Sequence, residues 1–470
     1  MIALATGILL LLVHPGWNLH FLAPLALLPL FYVALREKRA SRRFLWGYAS
    51  GILYWCGACY WIQQTLEQHG GMPVAGSWAL FVLFCLAKAL QTGVFAWLAP
   101  FAARRWWAAP ALAALWVSLE WTHNYTGFAW LVLGNASLDW PVLAKLAPIT
   151  GVWGISFMLA LCAAILVTRQ WPWLALFAIP LIVPPLPTVV PAPLTALAVQ
   201  PNLSEDATYS AESKAALARH LAELSVSSTH PNLIVWPEVP APIYDQDAFL
   251  ADIPRAAQAP LLSGVVSHTD RGESLNSALL LSSQGRFVSR YDKVNLVPFG
   301  EFVPWPFDAV ARKVSSEAGE FVPGSQPIVA AGIGTFICYE SVFPNYIRQF
   351  PLRGARVLFN LSNDSWFAQS AARHQHFLIT RMRAIENRRW IVRVTNNGIT
   401  ASIDPVGQVH DQQPSYREIS AILHYGEEQS LTLYTRWGDW FAYLCVLLCV
   451  LMLIAAFLTK SPAQGRPARA

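Results

Sequence analysis

Charge is what this chain has least of. Only 13% of its residues are Asp, Glu, Lys or Arg, against 55% hydrophobic, where soluble proteins carry about 25% charged residues. That excludes a single water-soluble globule. Charge is sparse up to about residue 200, frequent from 200 to 430, and sparse again until the last ten residues. Cysteine is almost absent from the polar part. Cys56, Cys59, Cys85, Cys162, Cys445 and Cys449 all lie in apolar runs, which leaves Cys338 without a disulfide partner. No His, Cys, Asp and Glu cluster has metal-ligand spacing, His374 and His376 being only two apart, and no glycine-rich loop cradles a phosphate. No cofactor and no metal are therefore expected. The net charge of +5 is small and comes largely from short loops, so no nucleic-acid surface is read into it. The first apolar segment lacks a basic n-region and a small-residue cleavage site, and reads as a retained span rather than a cleaved leader.

What is present are apolar segments at about 1–14, 20–36, 44–62, 76–102, 107–122, 150–168, 172–192 and 438–459. A helical span needs about 20 apolar residues. The basic residues alternate along the chain. Arg36, Lys38, Arg39, Arg42 and Arg43 follow the second segment, Arg104 and Arg105 the fourth, Arg169 the sixth, and Lys460, Arg466 and Arg469 the last. The opposite loops contain only Lys145. Eight spans with both termini in the cytoplasm satisfy this bias. The expected organisation is a seven-span domain over 1–192, an extracytoplasmic domain over 193–437, and an eighth helix with a cytoplasmic tail over 438–470. Cys56-Gly-Ala-Cys59 has redox spacing but lies in an apolar helix without a βαβ context, where packing explains it.

The polar region alternates strand and helix patterns. Strands are expected at Leu194–Gln200, Leu233–Trp236, Leu261–Val266, Ser277–Leu281, Phe287–Tyr291, Ile328–Ala331, Gly334–Ile337, Val357–Asn360, Ile391–Thr395 and Thr400–Ile403. Helices are expected at Ala211–Val226 and His374–Arg389, the second with its charges on one side. About 240 residues support a sizeable core, and the order suggests an α/β sandwich with helices outside.

Three polar groups close three of these strands. Glu238 ends Leu233-Ile-Val-Trp-Pro-Glu, Lys293 lies in the run from Tyr291 to Glu301, and Cys338 follows Thr335-Phe-Ile. A carboxylate, an ammonium and a thiol suit acyl transfer through a thioester. The carboxylate takes and returns a proton, the sulfur attacks, and the ammonium holds the oxyanion. A helix beginning near Phe343 is expected to aim its positive end at the sulfur and favour the thiolate. Glu301 could orient Lys293 or serve as a second carboxylate.

Trp236-Pro-Glu238, the run Tyr291 to Pro304, and Ile337-Cys-Tyr-Glu340 resemble the three signatures of the nitrilase, or carbon–nitrogen hydrolase, superfamily. Asn360-Leu-Ser-Asn-Asp-Ser-Trp366-Phe and Arg383-Ala-Ile-Glu-Asn-Arg extend the match. Seven spans before such a domain and one after it resemble the bacterial apolipoprotein N-acyltransferases. The resemblance implies a membrane α-helical bundle of about eight spans with a periplasmic nitrilase-like α-β-β-α sandwich, in the bacterial inner membrane. It implies transfer of an acyl chain from a phospholipid, usually phosphatidylethanolamine, to cysteine and then to the amine of a diacylglyceryl-cysteine on an apolipoprotein. Carried over by motif, Glu238 is the general base, Lys293 the oxyanion stabiliser and Cys338 the nucleophile, with Glu301, Tyr339 and Glu340 in support. Tyr209 stands where the family commonly has tryptophan. Tyr209, Trp305, Phe307, Asn363 and Trp366 are candidate lipid-contacting residues, with Trp305 and Phe307 on an aromatic arm expected to gate lipid entry. The chain is expected to act as a monomer.

Two other readings compete. One is a membrane-anchored amidase with water as acceptor, for which eight spans are superfluous. The other is a catalytically silent receptor or transporter, against which stand the intact Glu238, Lys293 and Cys338 and the few ionisable residues in the spans, Lys88 and Glu120.

Overall fold

The computed structural model describes every residue except 104, 188–191, 205–209, 227–229, 240–241, 305–320 and 459–470. Tyr209, Trp305 and Phe307 thus lie outside the described residues.

Most of the apolar segments fold as single α-helices: Leu4–Val13, Leu28–Arg36, Ala40–Ala58, Val74–Ala102, Ala108–Trp121, Val152–Thr168 and Trp440–Leu458. Among the described residues, Val74–Ala102 is the one helix long and apolar enough to cross a membrane by length and composition. The segment expected at 172–192 differs. It forms a 3₁₀ stretch, Trp171–Ala178, and a single turn, Ile179–Ile182. Pro172 and Pro180 lack the N–H that a regular helix needs and disfavour α geometry in the residues before them. The central pair, Ala40–Ala58 and Val74–Ala102, crosses closely because Gly47 and Gly51 present no side chain. A Cβ on Gly51 would lie 2.2 Å from Thr92 Oγ1 and 2.9 Å from Ala89 Cα.

Among the described residues the polar region holds twelve strands: β1 Leu194–Gln200, β2 Leu233–Val235, β3 Leu261–His268, β4 Ser274–Leu281, β5 Phe287–Asp292, β6 Val329–Ala330, β7 Ile333–Ile337, β8 Val357–Ser362, β9 Ile391–Thr395, β10 Ala401–Ile403, β11 Val409–His410 and β12 Ile419–Tyr425. They form two six-stranded sheets, ordered β12-β1-β2-β3-β4-β5 and β6-β7-β8-β9-β10-β11. Read in those orders, both sheets pair antiparallel, parallel, parallel, antiparallel, antiparallel. The fold is therefore built from two halves of the same topology. β11, β12 and the helix Phe249–Ala257 were not expected from sequence.

One core lies between the sheets, where Ala198, Val235, Leu262 and Leu280 meet Phe336, Phe359, Val392 and Val394. Leu221, Leu250 and Ile253 pack against the outer face of the first sheet. The outer face of the second is covered by the helix Ala372–Asn387. That helix turns Phe377 and Ala384 inward, and Ile379, Met382 and Ile385 outward into the core of the N-terminal helices. It is not a solvated helix with charge on one side. Arg383, Glu386 and Asn387 are buried, because a second layer of helices covers the face that a soluble relative would show to water. Polar groups bolt that seam. Gln375 accepts from Trp61 Nε1 (3.3 Å) and Trp130 Nε1 (2.7 Å), and its amide donates to the Ala58 carbonyl (3.1 Å).

Candidate active site

Parallel strands end at one edge of the sandwich, and there the chain gathers its polar groups. Glu238 follows β2, Cys338 follows β7 and Asn363 follows β8, while Lys293 follows the antiparallel β5. This crevice at the carboxyl ends of strands is where open α/β folds place ligands.

Lys293 is 1% exposed and sits between two carboxylates. Its Nζ donates to Glu238 Oε1 at 2.9 Å and to Glu301 Oε1 at 2.9 Å. Burial alone would lower the ammonium's pKa, but Glu238, Glu301 and Cys338 outweigh it and hold it well above the ordinary lysine value. Asn276, on β4, braces both acids, donating from Nδ2 to Glu238 Oε1 (2.9 Å) and Glu301 Oε1 (2.7 Å). Glu238 Oε2 accepts from the Asn363 main-chain N–H (2.9 Å), and Glu301 Oε2 from that of Val297 (2.8 Å).

Cys338 is buried, with φ at +47°. A left-handed conformation at a non-glycine residue costs on the order of 1–3 kcal/mol and persists only where the surroundings impose it. Burial pushes the thiol above its ordinary pKa and the Glu238 charge adds to that, while Lys293 and a hydrogen bond from Ser362 pull it back. The resting group is a thiol. The expected helix dipole is not available to change this. Cys338 itself opens a short 3₁₀ turn, Cys338–Val342, and the α-helix after it, Pro344–Ile347, has four residues. A thiol beside a carboxylate can instead lose its proton to that carboxylate as it attacks.

Glu340 lies behind the site and touches neither Lys293 nor Glu238. Its carboxyl accepts from Tyr291 OH (2.6 and 2.7 Å) and from the main-chain N–H groups of Val294 (2.8 Å), Asn295 (3.1 Å) and Ile337 (2.8 Å). It ties the strand end that carries Lys293 to the strand end that carries Cys338. Tyr339 points the other way, into the N-terminal helices. It donates to the Gly127 carbonyl and stacks near Trp130 at 6.4 Å between ring centres. Trp366 is at the same seam, its carbonyl accepting from Thr65 Oγ1 (2.8 Å) and its ring edge-on to His69.

Of the residues picked out in the sequence, Lys293 touches both Glu238 and Glu301, and Cys338 feels the charges of Glu238 and Lys293. Asn363 joins through its main chain. Sequence reasoning missed Asn276. Its signal is a lone amide inside a strand buried from Leu275 to Leu281, a position a strand tolerates only when the amide is partnered.

Comparisons with known proteins follow the same division. Residues 6–165 match the apolipoprotein N-acyltransferase N-terminal domain, and residues 193–423 match the carbon-nitrogen hydrolase domain. A curated protein from Geobacter metallireducens named apolipoprotein N-acyltransferase is 32% identical, covering 98% of this chain and 96% of its own. One of the same name from Azotobacter vinelandii is 36% identical over 95% and 93%. The chain belongs to the apolipoprotein N-acyltransferase family. Among solved structures, a mutant amidase from Nesterenkonia sp. AN1 superposes at a TM-score of 0.40 and 15% identity, covering 54% of this chain and 97% of its own. A carbon-nitrogen hydrolase from Helicobacter pylori G27 gives 0.37 and 16%, over 57% and 94%. Membership in the family accounts for both parts of the chain, the helices in front and the two-sheet domain behind them.

Proposed function

We propose that this enzyme N-acylates the amino-terminal diacylglyceryl-cysteine of apolipoproteins, the last step of bacterial lipoprotein maturation, with a glycerophospholipid as acyl donor. Phosphatidylethanolamine is the donor that the family resemblance implies.

In the first half-reaction the Cys338 sulfur attacks the donor's ester carbonyl and its proton passes to Glu238. Lys293 holds the oxyanion. Collapse breaks the bond to the glycerol oxygen, which takes the proton back from Glu238 and leaves as a lysophospholipid. In the second, the neutral α-amine of the lipoprotein attacks the thioester. Glu238 accepts a proton from the nitrogen and returns it to the sulfur as the C–S bond breaks. Glu301 and Asn276 fix Lys293 and Glu238, Glu340 fixes the strand ends, and Asn363 steadies the base through its main chain. Tyr339 and Trp366 shape the seam through which the chains of the donor reach the sulfur.

The observation that carries this reading is the buried ammonium clamped at 2.9 Å by two carboxylates, with the buried Cys338 at the neighbouring strand end. Glu238, held by Lys293, Asn276 and the Asn363 N–H, is in place as base, and the positive charge stays beside it. The membrane arrangement is proposed with it: domains at 1–192, 193–437 and 438–470, eight spans, both termini cytoplasmic, the site on the periplasmic side, and a monomeric enzyme. Its support is the loop charge bias together with apolar surface left exposed on the helices. Leu444, Leu447, Val450 and Leu451 on the last helix, and Val82, Leu83 and Leu90 on Val74–Ala102, point away from the protein. A fatty chain left in water costs about 0.8 kcal/mol per CH₂, so the donor has to enter from the bilayer.

The test is mass spectrometry of a synthetic diacylglyceryl-cysteine lipopeptide incubated with enzyme and phosphatidylethanolamine in micelles. One added acyl group on the α-nitrogen is expected, with lysophospholipid in equal amount. Free fatty acid with unmodified peptide would instead make the protein a hydrolase.

A further inference from the structure

His376 has no place in the chemistry above, yet it is wholly buried and touches the nucleophile's own backbone. Its Nε2 lies 3.0 Å from the Cys338 carbonyl oxygen. A carbonyl only accepts, so Nε2 carries the hydrogen. On the other side, Arg393 Nη2 lies 3.2 Å from Nδ1. Asp364 Oδ1 also lies 3.5 Å from Nδ1, so this nitrogen faces a donor and an acceptor together. The Cys338 carbonyl thus fixes a hydrogen on Nε2. Arg393 is itself held by Asp364, at 2.7 and 2.9 Å, and by the Asn360 side chain. Burial and the Arg393 charge lower the imidazole's pKa, against the pull of Asp364. Trp130 from the N-terminal helices and Phe367 close over the ring, at 5.6 and 5.7 Å between ring centres.

The consequence lies one peptide further on. In a planar trans peptide the carbonyl and the next N–H point in opposite directions. A donor that draws the Cys338 oxygen towards the helix Ala372–Asn387 turns the Tyr339 N–H towards the crevice. Tyr339 is the second residue of the short 3₁₀ turn, so its N–H has no carbonyl one turn back to pair with. We propose that His376 is a positioning residue for acyl transfer: by holding the Cys338 carbonyl, it presents the Tyr339 main-chain N–H to the oxyanion alongside Lys293. The same bond helps impose the left-handed φ at Cys338. This rests on the acyl-enzyme reading given above.

Two amide substitutions of the full-length enzyme separate positioning from mere packing. Gln places an N–H near the Nε2 position, within reach of the Cys338 carbonyl. Asn is shorter and reaches only the Nδ1 position beside Arg393. Single-turnover acylation of Cys338 is followed by intact mass in phosphatidylethanolamine micelles, with KM from turnover and melting temperatures for each protein. For H376N the acylation rate falls about 100-fold, the typical loss when one oxyanion donor goes, with KM within about twofold. For H376Q it stays within about tenfold of wild type. Rates for H376N equal to or above those for H376Q overturn the proposal, as does wild-type acylation in both. If either variant fails to fold, the other still decides: H376Q at or below about one-hundredth of the wild-type rate, or H376N at the wild-type rate, refutes it. Absence of any adduct in the wild type would count against the acyl-enzyme itself, and so is told apart from failure of the His376 role.

Discussion

The two sheets share one topology but bring different things to the crevice. The first ends in charge: Glu238 after β2 and Lys293 after β5, with Asn276 between them. The second ends in the nucleophile, held by groups that carry no free charge into the site. There His376 lies against the Cys338 carbonyl, and Arg393 and Asp364 neutralise each other. On the proposed mechanism, one half handles protons and the other sets geometry. Only their apposition makes a reactive thiol, which is why a raised thiol pKa is compatible with nucleophilic chemistry. Four changes would break or sharpen this contrast.

The largest effect is expected at the charged half. Lys293→Met removes the ammonium and leaves Glu238 facing Glu301 with no cation between them. Acyl transfer should fall by about 10³-fold, given 10²–10³ for one oxyanion donor and further loss from the misplaced base. Breaking a buried ion pair also costs about 3–5 kcal/mol, so the melting temperature should drop. Retention of more than a tenth of the activity would remove Lys293 from the chemistry.

Next comes the tie between the halves. Glu340→Gln puts an amide where four donors converge, stranding at least one of them at about 1–3 kcal/mol. Stability should fall and activity with it, although no charge in contact with the reacting atoms has changed. A variant that melts normally yet is inactive would give Glu340 a direct part in the reaction.

A smaller effect concerns pH. Because burial and Glu238 raise the Cys338 thiol above its ordinary value, the thiolate is scarce at neutral pH and grows only as pH rises past that value. Alkylation of Cys338 by iodoacetamide should therefore be slower than that of a free cysteine peptide at pH 8, and still climbing at pH 9. A plateau below pH 8 would mean a preformed thiolate. Among the settings of that pKa, the carboxylate's contribution can be isolated: Glu238→Gln should make alkylation faster while stopping turnover.

The smallest effect on chemistry lies farthest from both sheets. Gly51→Leu forces a side chain against Thr92 and Ala89 at the tightest helix crossing. Overpacking of this kind costs about 1–3 kcal/mol. Thermal stability in detergent should fall, while turnover per folded molecule stays within about twofold.

Much of this was legible in the sequence, for identifiable reasons. β1 and β9 occupy the expected residues, Leu194–Gln200 and Ile391–Thr395, because runs rich in apolar and β-branched residues end there, before Pro201 and Asn396. Glu238, Lys293 and Cys338 stood out because each closes such a run. What stayed hidden depends on contacts between distant segments. His376 was considered only as a metal ligand with His374. Its actual partners, Cys338 and Arg393, are 38 and 17 residues away. The helix was expected at His374–Arg389 with its charges on one side, and periodicity cannot show that a second layer of helices buries Arg383 and Glu386. β11 is two residues long, too short to leave a pattern. The helix-favoured thiolate failed because the turn begins at the cysteine itself.

The central claim is that one sulfur carries the acyl chain between donor and acceptor. Intact-mass analysis of the purified enzyme after incubation with phosphatidylethanolamine tests it directly. The account predicts a single acyl adduct on Cys338 that hydroxylamine removes, that a diacylglyceryl-cysteine lipopeptide discharges, and that Cys338→Ala lacks. Lipopeptide acylation by Cys338→Ala at the wild-type rate, or an adduct on another residue, would contradict it.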